Sequence, residues 1–108
     1  MIQETISSNN APVAVGPYSP AVRAGDFIYI SGQLPIDPTT GQLVSDDIRI
    51  QTEQVLKNIE ALLVEAGLNM SYVLKTTVFV KNMEEFAAMN EVYSRFFQKP
   101  FPARSAVA

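Results

Sequence analysis

Two stretches of helical periodicity, and no third, interrupt a chain otherwise made of short extended runs. Two helices can cover only one face of a sheet, so this count limits the architectures open to the chain. The first stretch spans Asp46 to Ala66, where Ile48, Val55, Ile59, Leu62, Leu63 and Ala66 fall on one stripe at helical spacing. Ser45 stands where a cap is needed, Asp46 and Asp47 suit the positive end of the helix dipole, and Gly67 can end the helix. The second stretch starts at Asn82, with Glu85 in position for a capping-box contact. Phe86, Met89, Tyr93, Phe96 and Phe97 form its apolar stripe, and Pro100 and Pro102 bar any continuation.

The extended runs divide around these helices. Ile2, Glu4 and Ile6 alternate with Gln3 and Thr5, the pattern of a short edge strand. Ala21 to Ala24 and Phe27 to Ser31 read as a hairpin about Gly25-Asp26, and Asp37 to Gly41 as a second tight turn. Val73 to Val80 reads as a strand with Leu74, Thr76, Val78 and Val80 on one face and Lys75, Thr77 and Phe79 on the other. Ala103 to Ala108 is again extended.

The order strand, strand, strand, helix, strand, helix, strand predicts a single α+β domain over residues 1–108. It is a sandwich of one mixed sheet with two helices packed on one face. The other face cannot be left to water without consequence, because Phe27 and Tyr29 alternate with Ile28 and Ile30 and both sides of that strand are apolar. An exposed patch of that kind calls for a partner, and the simplest partner is another copy of the chain.

Composition removes whole classes of chemistry. The 108 residues contain no cysteine and no histidine. No disulfide framework can form, the usual zinc and iron ligand sets are missing, and a Ser-His-Asp or Cys-His mechanism is excluded. No metal or other cofactor is expected. Net charge is −3 with scattered Lys and Arg, so there is no basic run to follow a phosphate backbone and nucleic acid is not an expected partner. Met1-Ile2-Gln3-Glu4 does not open a signal peptide, and no apolar run reaches the ~20 residues of a membrane span. The expected compartment is the cytoplasm, with no membrane contact.

A few residues stand out against this background. Arg104, in Phe101-Pro102-Ala103-Arg104-Ser105-Ala106-Val107, is a lone cation in an otherwise small and apolar strand, where its guanidinium could grip a carboxylate with two parallel hydrogen bonds or pair with a nearby surface acid. Asn90 lies on the apolar stripe of the second helix, either tying down a loop or serving a site. Tyr18 sits on a loop stiffened by Pro17 and Pro20, as an interface anchor or a site donor. Ser31 and Gly32 close a strand, and Gly32 permits either close backbone approach to a ligand or a bulge.

Several segments together resemble the RidA/YjgF family. They are Asn10-Ala11-Pro12 followed by Gly16-Pro17-Tyr18-Ser19, then Ile30-Ser31-Gly32-Gln33-Leu34-Pro35, and the helix from Gln54 to Gly67. Lys75-Thr76-Thr77-Val78-Phe79-Val80, the helix bearing Asn90, Tyr93, Phe96 and Phe97, and Phe101-Pro102-Ala103-Arg104-Ser105 complete the set. The resemblance runs nearly end to end, and its specific part is the last strand taken with the Lys-Thr-Thr strand.

The resemblance implies a chorismate-mutase-like fold and a homotrimer with sites in the clefts between subunits. It implies a deaminase that hydrolyses 2-iminobutanoate and 2-iminopropanoate to 2-keto acids and ammonia. Carried over by position, Arg104 and Tyr18 would be the catalytic pair, with Arg104 on the substrate carboxylate. Tyr18, Ser31, Gly32, Phe86, Asn90 and Ala106 would line the pocket, Gly32 through its backbone. Family members often carry a cysteine where this chain has Ala106, so only backbone contact is available there. Family members also continue into a further strand bearing a glutamate implied to activate water. The sequence ends at Ala108 without that counterpart, so the expectation is a fragment, an incomplete sequence or an altered activity, and weak imine hydrolysis from these 108 residues as they stand. The alternatives are a non-catalytic carboxylate-binding or chaperone-like trimeric module and, more weakly, the ribonuclease activity reported in the family.

Overall fold

The first helix, α1, runs Ile48–Glu65, two residues shorter at its start than the periodicity suggests. The reason is its cap. Asp47, not Ser45, accepts hydrogen bonds from the N–H groups of Arg49 and Ile50, while the Ser45 hydroxyl oxygen accepts from Asp47 N–H at 3.0 Å. Gly67 ends the helix as expected, at φ +80°, a conformation that other residues rarely adopt. The residues it buries are Leu56, Leu62 and Leu63 together with two polar ones, Thr52 and Asn58. Thr52 is satisfied by the Ile48 carbonyl.

The second helix, α2, spans Phe86–Tyr93 and is entered through a 3-10 turn at Met83–Glu85. Asn82 caps that turn by accepting from Glu84 N–H, and the expected Glu85 capping-box contact is not formed because Glu85 itself stands at the junction of the two helical segments. Phe96 and Phe97 lie beyond the helix yet still turn inward, Phe97 stacking on Tyr93 with ring centroids 4.7 Å apart.

In this computed structural model, which describes residues 3–108, the strands are β1 (Gln3–Ile6), β2 (Ala21–Ala24), β3 (Phe27–Ile30), β4 (Lys75–Phe79) and β5 (Ala103–Val107). Ile2, expected in the first strand, lies outside the described residues. The sheet mixes antiparallel and parallel pairing, in two separately bonded ladders: an antiparallel meander β1-β2-β3 and a parallel pair β4-β5. β1 is an edge strand, as its alternation suggests, and β4 is three residues shorter than its sequence run. The turn at Gly41 forms with φ +73° and closes on the Asp37 carbonyl.

Both helices pack on the same side of these strands. Leu56 and Leu63 of α1 meet Met89 and Tyr93 of α2, with Met70 and Phe97, and Ile30 of β3 and Val78 of β4 close the cluster. The side chains that alternate with these face away. Phe27, Tyr29 and Phe79 are 54%, 62% and 77% exposed. The sandwich is therefore one layer short, and the uncovered layer is aromatic.

A candidate carboxylate site at Arg104

The register of β4 and β5 decides which way Arg104 faces. Parallel pairing sets Thr76 beside Arg104 and Val78 beside Ala106, so both residues of β5 share the helix side of the strand pair. From there Arg104 reaches α2. Its Nη1 donates to Asn90 Oδ1 at 2.6 Å, and its guanidinium carbon lies 5.1 Å from the Phe86 ring centre and 4.8 Å from that of Tyr93. Phe86, Asn90 and Tyr93 are spaced i, i+4, i+7 and so stand on one face of the helix as a shelf for the cation.

The shelf is itself held. The Tyr93 hydroxyl is hydrogen-bonded to Thr76 Oγ1 at 2.7 Å, which ties α2 to β4 directly beside the arginine. A charge-assisted bond to Asn90 contributes about 1.5–3 kcal/mol, and each cation–π contact at an exposed site about 0.5–1 kcal/mol. Together they fix the plane of the guanidinium rather than merely its charge. Of its five N–H donors one is used on Asn90; among the described residues, the others meet no acceptor and Arg104 joins no ion pair. The nearby acid allowed for on sequence grounds is thus not its partner: Glu91, one residue from Asn90, bonds Arg49 and Arg95 instead. Arg49 beside it holds the Glu91 carboxyl below its ordinary range.

Tyr18, Ser31 and Gly32 form a second group. Ser31 is bonded to the tyrosine loop twice, its N–H to the Pro20 carbonyl at 3.0 Å and its hydroxyl to the Ser19 carbonyl at 2.6 Å. Tyr18 is 48% exposed and with Ser31 and Tyr29 lines an open groove of about 440 Å³. Arg104, Phe86 and Asn90 are not among the residues lining that groove. Gly32 is exposed, and a Cβ built on it would meet nothing within 4 Å. Nothing inside this chain requires a glycine there. Ala106 is half-buried on β5. Sequence reasoning placed Tyr93 only in the core and Thr76 only on a strand face, and it missed both as supports of Arg104. The i, i+4, i+7 spacing was the available signal.

The sequence signature of the endoribonuclease L-PSP family matches residues 8–108. The chain belongs to this family, that of RidA and YjgF. A RutC family protein of Pyrococcus horikoshii is 52% identical over 98% of this chain and 84% of its own length. The crystal structure of YyfA from Yersinia pestis, a Rid family protein of unknown function, superposes with a TM-score of 0.95 at 46% identity, covering 98% of this chain and 85% of that one. The chloroplastic Reactive Intermediate Deaminase A of Arabidopsis thaliana is 43% identical over 96% of this chain and 55% of its own.

Proposed function

We propose that this protein is a deaminase acting on 2-imino acids, with 2-iminobutanoate and 2-iminopropanoate as substrates and 2-keto acids and ammonia as products. The observation that carries the reading is Arg104: a cation with its plane fixed by Asn90, Phe86 and Tyr93 and its other N–H groups free of acceptors among the described residues. A planar fork in that state suits a carboxylate, which it can bind with two parallel bonds. A carboxylate so held presents the adjacent imine carbon at a defined position. Water adds to that carbon, and the resulting carbinolamine expels ammonia to leave the keto acid.

The same reading takes the working form to be a cytoplasmic homotrimer. Phe27, Tyr29 and Phe79 on the uncovered face support it, as does the separation of the Tyr18 groove from Arg104 within one chain. A site formed between copies would bring the arginine of one to the tyrosine loop, Ser31 and Gly32 of another, with Phe86, Asn90 and Ala106 on its walls.

The test couples a threonine dehydratase to keto-acid release. Wild-type protein should accelerate release, and Arg104→Lys, which keeps the charge and loses the fork, should cost about 2–3 kcal/mol, or roughly 30- to 150-fold in kcat/KM. An unchanged value removes Arg104 from the site. A second reading, a non-catalytic carboxylate-binding or chaperone-like trimer, is favoured by one feature. The partners of Arg104 are Asn90, Phe86 and Tyr93, backed by Thr76, and no carboxylate is among them. Tight pyruvate binding without imine turnover would select it. A ribonuclease reading is opposed by the net charge of −3, because an RNA groove needs positive charge.

A further inference from the structure

Asn58 is the one fully buried side-chain amide among the described residues, at 0% exposure in the middle of α1. A buried amide is costly unless its donors and acceptor are met. Here both donors are met by one short segment and the acceptor by Gln54 of the same helix. Both N–H groups of Asn58 go to backbone carbonyls of the stretch that follows β3, Leu34 at 3.2 Å and Ile36 at 3.0 Å. Gln54, one turn earlier, donates to Asn58 Oδ1 at 2.8 Å and so fixes which end of the amide faces the loop. Apolar residues would fill a helix position in this core with no such demand, so the chain has spent a buried polar group on holding that loop.

The held segment begins at Ser31 and Gly32. Its upstream end is pinned by the two Ser31 bonds to Ser19 and Pro20, and its downstream end by Asn58 and by Val44 N–H on the Pro35 carbonyl. Between the pins, among the described residues, the N–H groups of Gly32, Gln33 and Leu34 have no acceptor. Gly32 leaves them uncovered by any side chain of its own. Free N–H groups on a backbone clamped at both ends are held donors that an anionic oxygen can use.

We infer that Asn58, oriented by Gln54, is a positioning residue of the deaminase site: it sets the place of the Gly32–Leu34 donors that share the substrate carboxylate with Arg104. It touches no substrate and acts only through the loop. The inference rests on the functional reading above.

The experiment compares wild type, Asn58→Ser, Gln54→Ala and Arg104→Lys as full-length folded protein. Pyruvate is titrated while the amide resonances of Gly32, Gln33 and Leu34 are followed by NMR, and KM and kcat are measured separately for 2-iminobutanoate. Displacing the donors by ~1 Å should weaken pyruvate binding and raise KM by about ten- to a hundredfold. The expected mark in Asn58→Ser is that rise with kcat little changed, together with moved free-state resonances of the three amides. Gln54→Ala should move the same quantities less, and it carries the test if Asn58→Ser does not fold. A folded variant with a lowered Tm but unchanged pyruvate affinity and KM makes Asn58 merely structural and overturns the inference. A wild type that binds no pyruvate and turns over no imine overturns the functional reading instead, and this inference with it.

Discussion

The Arg104 shelf and the Tyr18 loop are built to different degrees of completeness. At the first, five side chains from β4, β5 and α2 hold one another, and the arginine is oriented by contacts wholly inside one chain. At the second, the backbone is pinned but the candidate groups are not: Tyr18 is half exposed, Gly32 is bare, and three N–H groups meet no acceptor among the described residues. The comparison teaches that half of the proposed site is a property of the fold and the other half a property of whatever meets it. Substitutions should accordingly fall into two sets, one insensitive to assembly and one dependent on it.

The largest expected effect comes from breaking assembly alone. Phe79 is 77% exposed on the uncovered sheet face and has no part in the shelf. Phe79→Asp should convert the proposed trimer to monomer by light scattering and lower kcat/KM by two orders of magnitude or so, the scale attached to a misplaced site. An active monomer would show that the Tyr18 loop is not used across subunits. Next comes Tyr18→Phe in the assembled protein. It removes one neutral hydrogen bond, worth about 0.5–1.5 kcal/mol, so a two- to tenfold loss in kcat/KM is expected. In the Phe79→Asp background it should do nothing further, and an additive loss there would contradict the division into two sets.

The smallest effect lies at the α1–α2 seam beneath the shelf. Arg49 lowers the pKa of Glu91 relative to its ordinary value. A depressed carboxyl contributes stability above the ordinary glutamate pKa of about 4.3, and that contribution fades as pH falls through the lower folded value. The pair is solvent-exposed, so Glu91→Gln should leave activity untouched and shift Tm slightly at neutral pH, with the difference from wild type vanishing in acid. A seam that mattered to the site would show instead as a change in KM.

What the sequence disclosed follows the range of the interactions. Arg104 was visible because a charge in a run of small apolar residues is anomalous on its own, and α1 because its apolar stripe is a local pattern. Tyr93 looked like core because its ring is core; its second role depends on β5 arriving beside it from a separate strand. Asn58 was passed over because nothing in the helical stripe marks a buried amide whose partners lie more than twenty residues upstream. The start of α1 differs from the periodicity through the choice between two capping residues two positions apart, Ser45 and Asp47, which local chemistry ranks almost equally. The 3-10 entry to α2 left no mark that periodicity could detect over so few residues.

The parallel pairing of β4 with β5 has a kinetic side. Lys75 pairs with Ala103 across a connection that contains the whole of α2, so Arg104 reaches its shelf through a non-local closure whose loop entropy must be met. Detachment of β5 would dismantle the ladder and the proposed anion grip in one event. A carboxylate bound as proposed would hold that event back by mass action, so occupancy of the proposed site and slow amide exchange along Ala103–Val107 should rise and fall together.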